Sequence, residues 1–441
     1  MKKVILTCSN FMATYLHLLL IIISSLMGRQ AAAQDSSYTN YLKNNHEKIA
    51  IGSNKSPGIF DDAFYNNQVF LVSESHGYQK PHELDLELFK MISNKTGLRY
   101  YLAEIDFSQA FYLNKYLNTG NEDYLKNMYQ RWFNETAQWG NKTGFEKWRS
   151  IYAWNKTLPN NKKIIVLGLD NAQDLNLNEK RLTEILAEVN YKTSTNVMLD
   201  SLAGFKTMDV EKDTTKRFKK FVRRLGADVS LNEAAYKRIL KNNYFNFRII
   251  IDNIASKKGR EAKIFENFNS FYEEYKLSNE KMYGFWGRFH AMQDSINSAM
   301  PFAGMLKKSN LPLSNKIISI PVFCVESASM LPTAFLPPMA RQNGTIFSKS
   351  AMVNDDSFVY SVEGIKIFRK FVGKEESVIF KLNGATSPFN KGFNLVESSS
   401  QFDKTFNWAG NKQAATTSYF QYAIVVSNSD WAIPYGDNTA K

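Results

Sequence analysis

The sequence has 441 residues, of which 44% are hydrophobic and 22% charged, and this balance excludes an intrinsically disordered chain. The formal net charge is +13, but the basic residues are spread along the chain and show no nucleic-acid-binding module. The most basic run, Lys212 to Arg224, is typical of a solvated helix face, with an anionic contact as the alternative.

The N-terminus has the pattern of a targeting segment. Lys2 and Lys3 precede the apolar stretch Leu16–Met27, and small residues follow up to Ala33. We predict a signal peptide over residues 1–33, cleaved near Ala33, and an exported protein in the periplasm or outside the cell. An uncleaved anchor is the alternative, but the apolar stretch is shorter than the ~20 residues that span a bilayer. No stable membrane span is expected after cleavage.

The predicted mature chain contains a single cysteine, Cys324, so it can form no internal disulfide. Cys324 lies in the apolar run "IISIPVFCV" and is predicted to be a buried, small hydrophobic residue.

Short apolar runs recur along the chain, and we predict that each is a strand. A helix with apolar positions at Leu84, Leu88 and Ile92 follows the first run and ends at Gly97. Strands separated by long helical segments indicate an α/β fold with a mostly parallel sheet flanked by helices. The predicted strands are Val69–Ser73, Arg99–Glu104, Lys163–Leu169, Met282–Phe289, Ile317–Val325 and Tyr419–Val426.

The chain divides by its periodicity into three parts after the signal peptide. Residues 34–174 form the first part of the α/β core, and residues 175–277 form a large helical insertion without a convincing strand. Residues 278–441 complete the core and add a β-rich C-terminal part. Its strand-like segments are "SFVYSVEGIKIFRKF", "ESVIFKLNG" and "YFQYAIVVSNSD".

Four of the predicted strands end in polar residues. Because the carboxyl ends of parallel strands share one edge of a sheet, these residues can converge on one pocket. They are Glu74 and His76, Glu104 and Asp106, Asp170, and Arg288 and His290.

These residue types suit hydrolysis by an activated water. His76 or His290 can accept a proton from water while a carboxylate fixes the tautomer of the imidazole. The same groups could instead hold a divalent metal. A histidine at a strand end is also often structural, and Asp170 could cap the next helix.

A cluster of tryptophans lies in the helical region between the second and third strands. Trp139 and its neighbours Trp132, Trp148 and Trp154 could line a cleft for a bulky ligand, although such a density of aromatic residues is more often core.

The order of four segments resembles the erythromycin esterase family, in a superfamily that also holds the ChaN-like haem-binding lipoproteins and the Tiki-type metalloproteases. The segments are "ESHGYQKPHELDLELFKM", "YYLAEIDFSQAFYLNKYLNTGNEDYL", "QWGNKTGFEKWRSIYAWN…KKIIVLGLD" and "GREAKIFENFNSFYEEY…KMYGFWGRFHAM". The resemblance covers roughly Gln68 to Met292 and implies a parallel α/β core with a cleft at the strand ends.

The resemblance also implies site residues. His76 matches the general base, Glu104 the second glutamate, Arg260 the arginine and His290 the last histidine of the family pattern, with Glu74 close to the base. Two positions depart from that pattern. Ser73 stands where the esterases place their first glutamate, and Gly287 and Arg288 replace a His-Asn pair.

We therefore expect a hydrolase that uses His76, Glu74, Glu104, Arg260 and His290 on an ester or lactone, without a cofactor. Asp170, Arg288 and Trp139 are predicted to contact a small-molecule or bulky organic ester. One alternative is a Tiki-like metal-dependent hydrolase or protease. Another is a non-catalytic, ChaN-like protein that binds haem or a flat hydrophobic ligand. The ligands of the metal alternative are Glu74, His76, Glu104 and His290.

A buried Glu104 needs a partner, and Arg260 is the expected one, because its guanidinium can hold a carboxylate through two hydrogen bonds. An exposed surface arginine is the alternative, in which case Arg288 would be the next candidate.

Overall fold

The computed structural model describes residues 36–53, 55–189, 191, 196–204, 212–338, 341, 344–401 and 403–436. The predicted signal peptide, residues 1–33, lies outside these residues.

An eight-stranded sheet forms the centre of the described chain. Its strand order is β1-β10-β12-β6-β2-β5-β3-β4, and two short two-stranded sheets, β7-β8 and β9-β11, lie beside it. The strands are β1 (His46–Lys48), β2 (Val69–Glu74), β3 (Tyr100–Ala103), β4 (Ile165–Gly168), β5 (Met282–Gly287), β6 (Ile317–Val325), β7 (Ser329–Pro332), β8 (Phe347–Ser350), β9 (Tyr360–Val362), β10 (Ser377–Lys381), β11 (Ser398–Ser400) and β12 (Tyr422–Ser427).

The six strands from β12 to β4 are parallel, and β10 and β1 continue the sheet in antiparallel fashion. All six apolar runs predicted as strands are strands, and the mostly parallel α/β class is confirmed. The C-terminal strands β10 and β12 belong to the main sheet, where β12 pairs in parallel with β6.

Helices cover both faces of the sheet. They are α1 (36–43), α2 (Asp62–Tyr65), α3 (Lys80–Thr96), α4 (Phe107–Thr119), α5 (Glu122–Asn134), α6 (Lys142–Thr157), α7 (Leu175–Val189), α8 (Val197–Ala203), α9 (Lys212–Leu231), α10 (Glu233–Leu240), α11 (Tyr244–Ala255), α12 (Arg260–Glu274), α13 (Phe302–Lys307), α14 (Ile365–Arg369) and α15 (Thr416–Tyr419). As predicted, α3 ends before Gly97, which has a positive φ of 75°.

Alternate residues of each central strand supply two separate cores, because successive side chains of a strand point to opposite faces. Phe70 and Val72 of β2 pack on the face covered by α3, α4, α5 and α6. Val69 and Leu71 pack on the other face, against α7 to α13. The long helical segment predicted after β4 is therefore a second layer that buries one face of β2, β3, β4 and β5, while C-terminal residues cover the same face of β6, β10 and β12.

One C-terminal segment differs from the prediction. The strand expected through "SVEGIKIFRKF" stops at Val362, and Ile365–Arg369 is the short helix α14. Gly364 ends the strand with a φ of 79°, and Ile365, Ile367 and Phe368 then bury their side chains from a helical turn. The isoleucines favour a strand by propensity, but this segment forms a helix because one side of the helical turn buries their side chains.

Within the described ranges, no helix is long and apolar enough to cross a bilayer.

Candidate active site

The carboxyl ends of four neighbouring strands, β2, β5, β3 and β4, meet at one edge of the sheet. Glu74 is the last residue of β2, Glu104 follows β3, and Asp170 follows β4. Gly287 ends β5 and leads into a single 3₁₀ turn, Arg288–Ala291. The predicted convergence of polar strand ends is therefore present in the structure.

A tight turn after β2 places His76. Gly77 has a φ of 94°, and its carbonyl accepts hydrogen bonds from the backbone N–H groups of Met330 and Ala432, both at 2.8 Å. A Cβ at Gly77 would lie 2.5 Å from the carbonyl oxygen of Met330. The position therefore requires glycine for both its conformation and its space.

Only one ring nitrogen of His76 is bound by another described residue. Its Nδ1 lies 3.2 Å from Oε1 of Glu74, while Nε2 has no hydrogen-bond partner among the described residues. The His76 side chain is 31% exposed, so Nε2 is accessible to water. Burial lowers the pKa of His76, but the hydrogen bond and the charges of Glu74 and Glu104 outweigh it, and the pKa lies above its ordinary value.

Glu104 is the centre of an ionic network. Its Oε1 accepts hydrogen bonds from Nη2 of Arg260 at 2.8 Å and lies 3.2 Å from Nε2 of His290. Its Oε2 accepts the backbone N–H of Gly287 at 2.6 Å. Burial raises the pKa of Glu104, but His290, His76 and Arg260 more than compensate and hold it well below its usual range. Glu104 therefore stays ionised at neutral pH.

Arg260 is the first residue of α12, directly after the N-cap Gly259. Its Nε and Nη2 donate to the Asp170 carboxylate at 3.0 and 2.5 Å, and Nη2 also reaches Glu104. The expected contact between Arg260 and Glu104 is confirmed, and the arginine side chain is 42% exposed at the pocket. Within the described part of the chain Nη1 has no partner, so it can donate to a ligand.

His290 is enclosed by two carboxylates. Nε2 faces Glu104, and Nδ1 lies 2.8 Å from Oε1 of Glu261, whose Oε2 accepts the N–H of Phe302. Burial lowers the pKa of His290, but the two glutamates outweigh it and raise the pKa to about 10. His290 is consequently a cation at neutral pH, and it cannot serve as the base.

Gly287 leaves open the space between these groups. A Cβ at this position would lie 3.3 Å from Nε2 of His76, 3.4 Å from Oε2 of Glu104 and 3.5 Å from Cδ2 of His290. The missing side chain thus keeps the surroundings of Nε2 of His76 uncrowded.

A cavity of about 100 Å³ opens between the strand ends and helices α5 and α6. Its lining is Glu74, His76, His82, Tyr101, Ala103, Glu104, Ile105, Leu113, Tyr129, Trp132, Trp139, Lys147, Trp148, Gln173, Arg260, Phe285 and Trp286. Trp139 stands beside His76, with 5.6 Å between the ring centroids. Trp132 and Trp148 also line the cavity, whereas Trp154 packs on Phe89 in the core.

Two residues predicted to bind substrate, Asp170 and Arg288, do not line this cavity. Asp170 is fully buried behind Arg260 and accepts hydrogen bonds from Gln173 and Asn171. Arg288 points to the other side of the 3₁₀ turn, where Asp355 binds its guanidinium through two contacts of 2.8 Å. Asp170 is paired with Arg260 and Arg288 with Asp355, so neither charge is available to a ligand in the cavity.

Four residues of the site were not predicted. Glu261 follows Arg260 directly and could have been found from the first turn of α12. Gln173 positions Asp170, while His82 and Lys147 line the far end of the cavity from α3 and α6. The last two lie on helices rather than at strand ends, and the packing of those helices on the sheet brings them to the pocket.

Two of the four proposed metal ligands, Glu104 and His290, are engaged with other protein groups at every side-chain donor atom, whereas Glu74 and His76 are engaged at one atom each. Both nitrogens of His290 face glutamates, and both oxygens of Glu104 accept protein hydrogen bonds. Across the described residues no three His, Cys, Asp or Glu side chains converge as a metal site. Glu104 and His290 therefore have no free donor atom for a metal in this arrangement.

Comparisons with known proteins identify the fold. No family model matches the sequence, and no curated protein matches it. Among solved structures, a protein of Bacillus cereus is similar with a TM-score of 0.64 at 13% identity, covering 91% of this chain and 99% of its own. A succinoglycan biosynthesis protein gives 0.64 at 14% identity, covering 90% and 98%.

The third similar structure is an erythromycin esterase, solved as a histidine-to-asparagine mutant in an open conformation. Its TM-score is 0.54 at 11% identity, and the match covers 82% of this chain and 91% of the esterase. The chain therefore shares its α/β fold, over most of its length, with an erythromycin esterase.

Proposed function

We propose that the protein is an exported hydrolase, a divergent relative of the erythromycin esterases, that cleaves an ester or lactone with a water activated by His76. The observation that carries the proposal is the state of His76. Nδ1 is held by Glu74, while Nε2 is unpartnered among the described residues and faces the cavity beside Arg260. An imidazole oriented in this way can accept a proton from water.

Direct attack by water suits this cavity. None of the described residues in its lining is Ser, Thr or Cys, the usual hydroxyl and thiol nucleophiles of ester hydrolysis. The proton of the attacking water passes to Nε2 of His76, and Glu74 stabilises the imidazolium that forms. The protonated His76 can then return the proton to the leaving alcohol.

Arg260 supplies the positive charge for the oxygen that becomes negative during the attack. Asp170 and Glu104 fix the guanidinium through Nε and Nη2 and leave Nη1 as a donor at the cavity. A donor held in advance of the reaction stabilises a developing oxyanion without further reorganisation. Glu104 and His290 support Arg260, because their polar atoms already bind each other, Arg260, Glu261 or the backbone.

The pairing of His290 argues against its use as a haem ligand. Both of its ring nitrogens are bound by carboxylates, so this imidazole has no nitrogen free for a haem iron.

The test is hydrolysis by the purified chain lacking residues 1–33. 4-Nitrophenyl esters of increasing acyl length, simple lactones and a macrolide lactone would be assayed with and without a chelator. We expect chelator-insensitive turnover of at least one ester, and loss of that turnover in His76→Ala. Chelator-sensitive turnover would support the metal-dependent alternative, and the absence of turnover on every substrate would contradict the proposal.

A further inference from the structure

The inner end of the cavity holds a buried ion pair that the hydrolytic mechanism does not use. Nζ of Lys147, on α6, lies 2.5 Å from Oδ2 of Asp85, on α3. The hydroxyl of Tyr101 donates to the same oxygen at 2.7 Å. Lys147 lines the cavity, and its side chain is 7% exposed. A charged group of α6 thus lines the cavity beside His82, and we call this part of the cavity its inner end.

Several polar atoms at this end have no partner within the described protein. Oε2 of Glu74, Nδ1 of His82 and Oδ1 of Asp85 are buried without a hydrogen bond. Glu74 and His82 are only 5% and 6% exposed, and both line the cavity. Lys147 donates only one of its three N–H groups, to Asp85. Since buried polar groups are nearly always satisfied, these atoms are open to water or to a hydrogen-bonding ligand that replaces it.

Flat aromatic rings form the walls between these polar atoms. Nζ of Lys147 lies 4.9 Å from the ring centroid of Phe285 and 5.2 Å from that of Trp148. Tyr129 and Trp132 complete the wall. Aromatic walls with a few fixed polar groups suit a ring that has an apolar face and polar substituents at its edge.

The charges around the cavity disfavour an anion. The cavity lining and the groups paired with it contain five carboxylates and three fixed cations. Their net charge is therefore not positive, whether His76 is neutral or protonated and whether Glu74 is ionised or neutral. The carboxylates are Glu74, Asp85, Glu104, Asp170 and Glu261, and the cations are Lys147, Arg260 and His290. Lys147 is neutralised by Asp85, so it acts as a hydrogen-bond donor rather than as a free charge.

The cavity is large enough for more than a single water. One water requires roughly 10–15 Å³ of such space, and the cavity offers about 100 Å³.

We propose that the inner end of the cavity is a recognition subsite for a neutral, hydroxyl-bearing ring of the pyranoside class. A ring oxygen or hydroxyl accepts from Lys147, a second hydroxyl donates to Oε2 of Glu74, and the C–H face lies on the aromatic wall. The inference rests on the proposed function in one respect. For an ester hydrolase, this subsite makes esters of sugars or similar polyols the substrate class.

Binding to the wild-type mature chain tests the subsite without turnover. Calorimetric or tryptophan-fluorescence titrations would use neutral methyl pyranosides of glucose, galactose, mannose and N-acetylglucosamine, the anion glucuronate, and cyclohexanol as an apolar ring. We expect saturable binding of at least one neutral pyranoside, with glucuronate and cyclohexanol at least tenfold weaker. No saturable pyranoside binding, or equal binding of glucuronate or cyclohexanol, would overturn the proposal.

A paired substitution assigns the binding to the inner end. Lys147→Met with Asp85→Asn removes the donor, leaves no unpaired buried charge and keeps an acceptor for Tyr101. We expect pyranoside affinity to fall about tenfold or more, the usual effect of losing a hydrogen bond to a charged group. Lys156→Met, on the exposed side of the same helix, is the matched control and should leave affinity unchanged. Unchanged affinity in the folded double variant would overturn the assignment.

The two proposals can fail separately. Pyranoside binding without hydrolysis of any pyranoside ester would support the subsite and contradict the hydrolase. Hydrolysis of simple esters without pyranoside binding would support the hydrolase and contradict the subsite. If the double variant does not fold, the wild-type titrations still decide the question.

Discussion

The outer and inner ends of the cavity are built from different parts of the fold. The outer end consists of residues that follow β2, β3 and β4, together with Arg260 at the start of α12. The inner end consists of Asp85 and Lys147, which face each other from α3 and α6. Strand ends are fixed by the sheet, so they suit chemistry that requires exact geometry. The residues of the inner end lie on helices outside the sheet, so they can differ without disturbing the strand ends. This arrangement suits selection of a ligand.

The two ends also differ in how their charges are used. At the outer end, His76 and Arg260 each keep one polar nitrogen that no described residue binds. At the inner end, Lys147 and Asp85 neutralise each other. If this difference is functional, outer substitutions should change the rate of hydrolysis, whereas inner substitutions should change binding.

The largest effect is expected for His76→Ala. Turnover of the best ester should fall about 10²–10⁴-fold, because loss of a general base typically costs that much. Circular dichroism should show an unchanged fold, since His76 is partly exposed. His46→Gln, on β1 away from the cavity, is the matched control. Activity of His76→Ala close to wild type would remove the basis of the mechanism.

A smaller loss is expected for Arg260→Met. Removing one preorganised oxyanion donor costs roughly 10²–10³-fold in kcat, so we expect a decrease of about a hundredfold. The substitution leaves the buried Asp170 without its cation, so Arg260→Met with Asp170→Asn is the second variant. Arg238→Met, on the exposed side of α10, is the control. A double variant that regains wild-type kcat would show that Arg260 has only a structural role.

Gly287→Ala should have a moderate effect. The added Cβ would lie 3.3 Å from Nε2 of His76, tighter than an ordinary contact, so the imidazole must shift by a few tenths of an ångström. We expect kcat to fall by about tenfold, because small misplacements of a catalytic group are costly. Gly226→Ala, whose Cβ would have its nearest contact at 3.9 Å, is the control. Equal kcat in both variants would show that the space beside His76 is not used.

The smallest effect is expected from metal removal. Dialysis against EDTA should leave kcat unchanged, because the proposed mechanism assigns no step to a metal. A loss of activity that Zn²⁺ restores would favour the Tiki-like alternative and would assign Glu74, His76, Glu104 and His290 a different role.

The difference between the two ends also explains what the sequence could predict. Each strand-end residue follows an apolar run directly, so its position at the sheet edge is determined locally. Lys147 and Asp85 are far apart in sequence, and their contact depends on how α3 and α6 pack. A signal was nevertheless present, because Asp85 lies on the buried stripe of α3 with Leu88 and Ile92. A carboxylate in an apolar stripe needs a partner.

Arg288 shows the limit of reasoning from strand ends. It follows β5 as closely as His290 does, but the 3₁₀ turn directs the two side chains to different partners. The partner of Arg288 is Asp355, which nothing in the sequence near β5 identifies. The signal peptide and the cleavage near Ala33 remain predictions, because those residues lie outside the described part of the chain.

The pH dependence of kcat/KM in wild type and in Glu74→Gln tests the central claim most directly. The base must be neutral, so kcat/KM should rise with pH through the pKa of His76, which Glu74 helps to hold above its ordinary value of 6.5. In Glu74→Gln that carboxylate is absent, so the ascending limb should move to lower pH while the fold is kept. An ascending limb that does not move, or a profile without one, would contradict the assignment of His76 as the base.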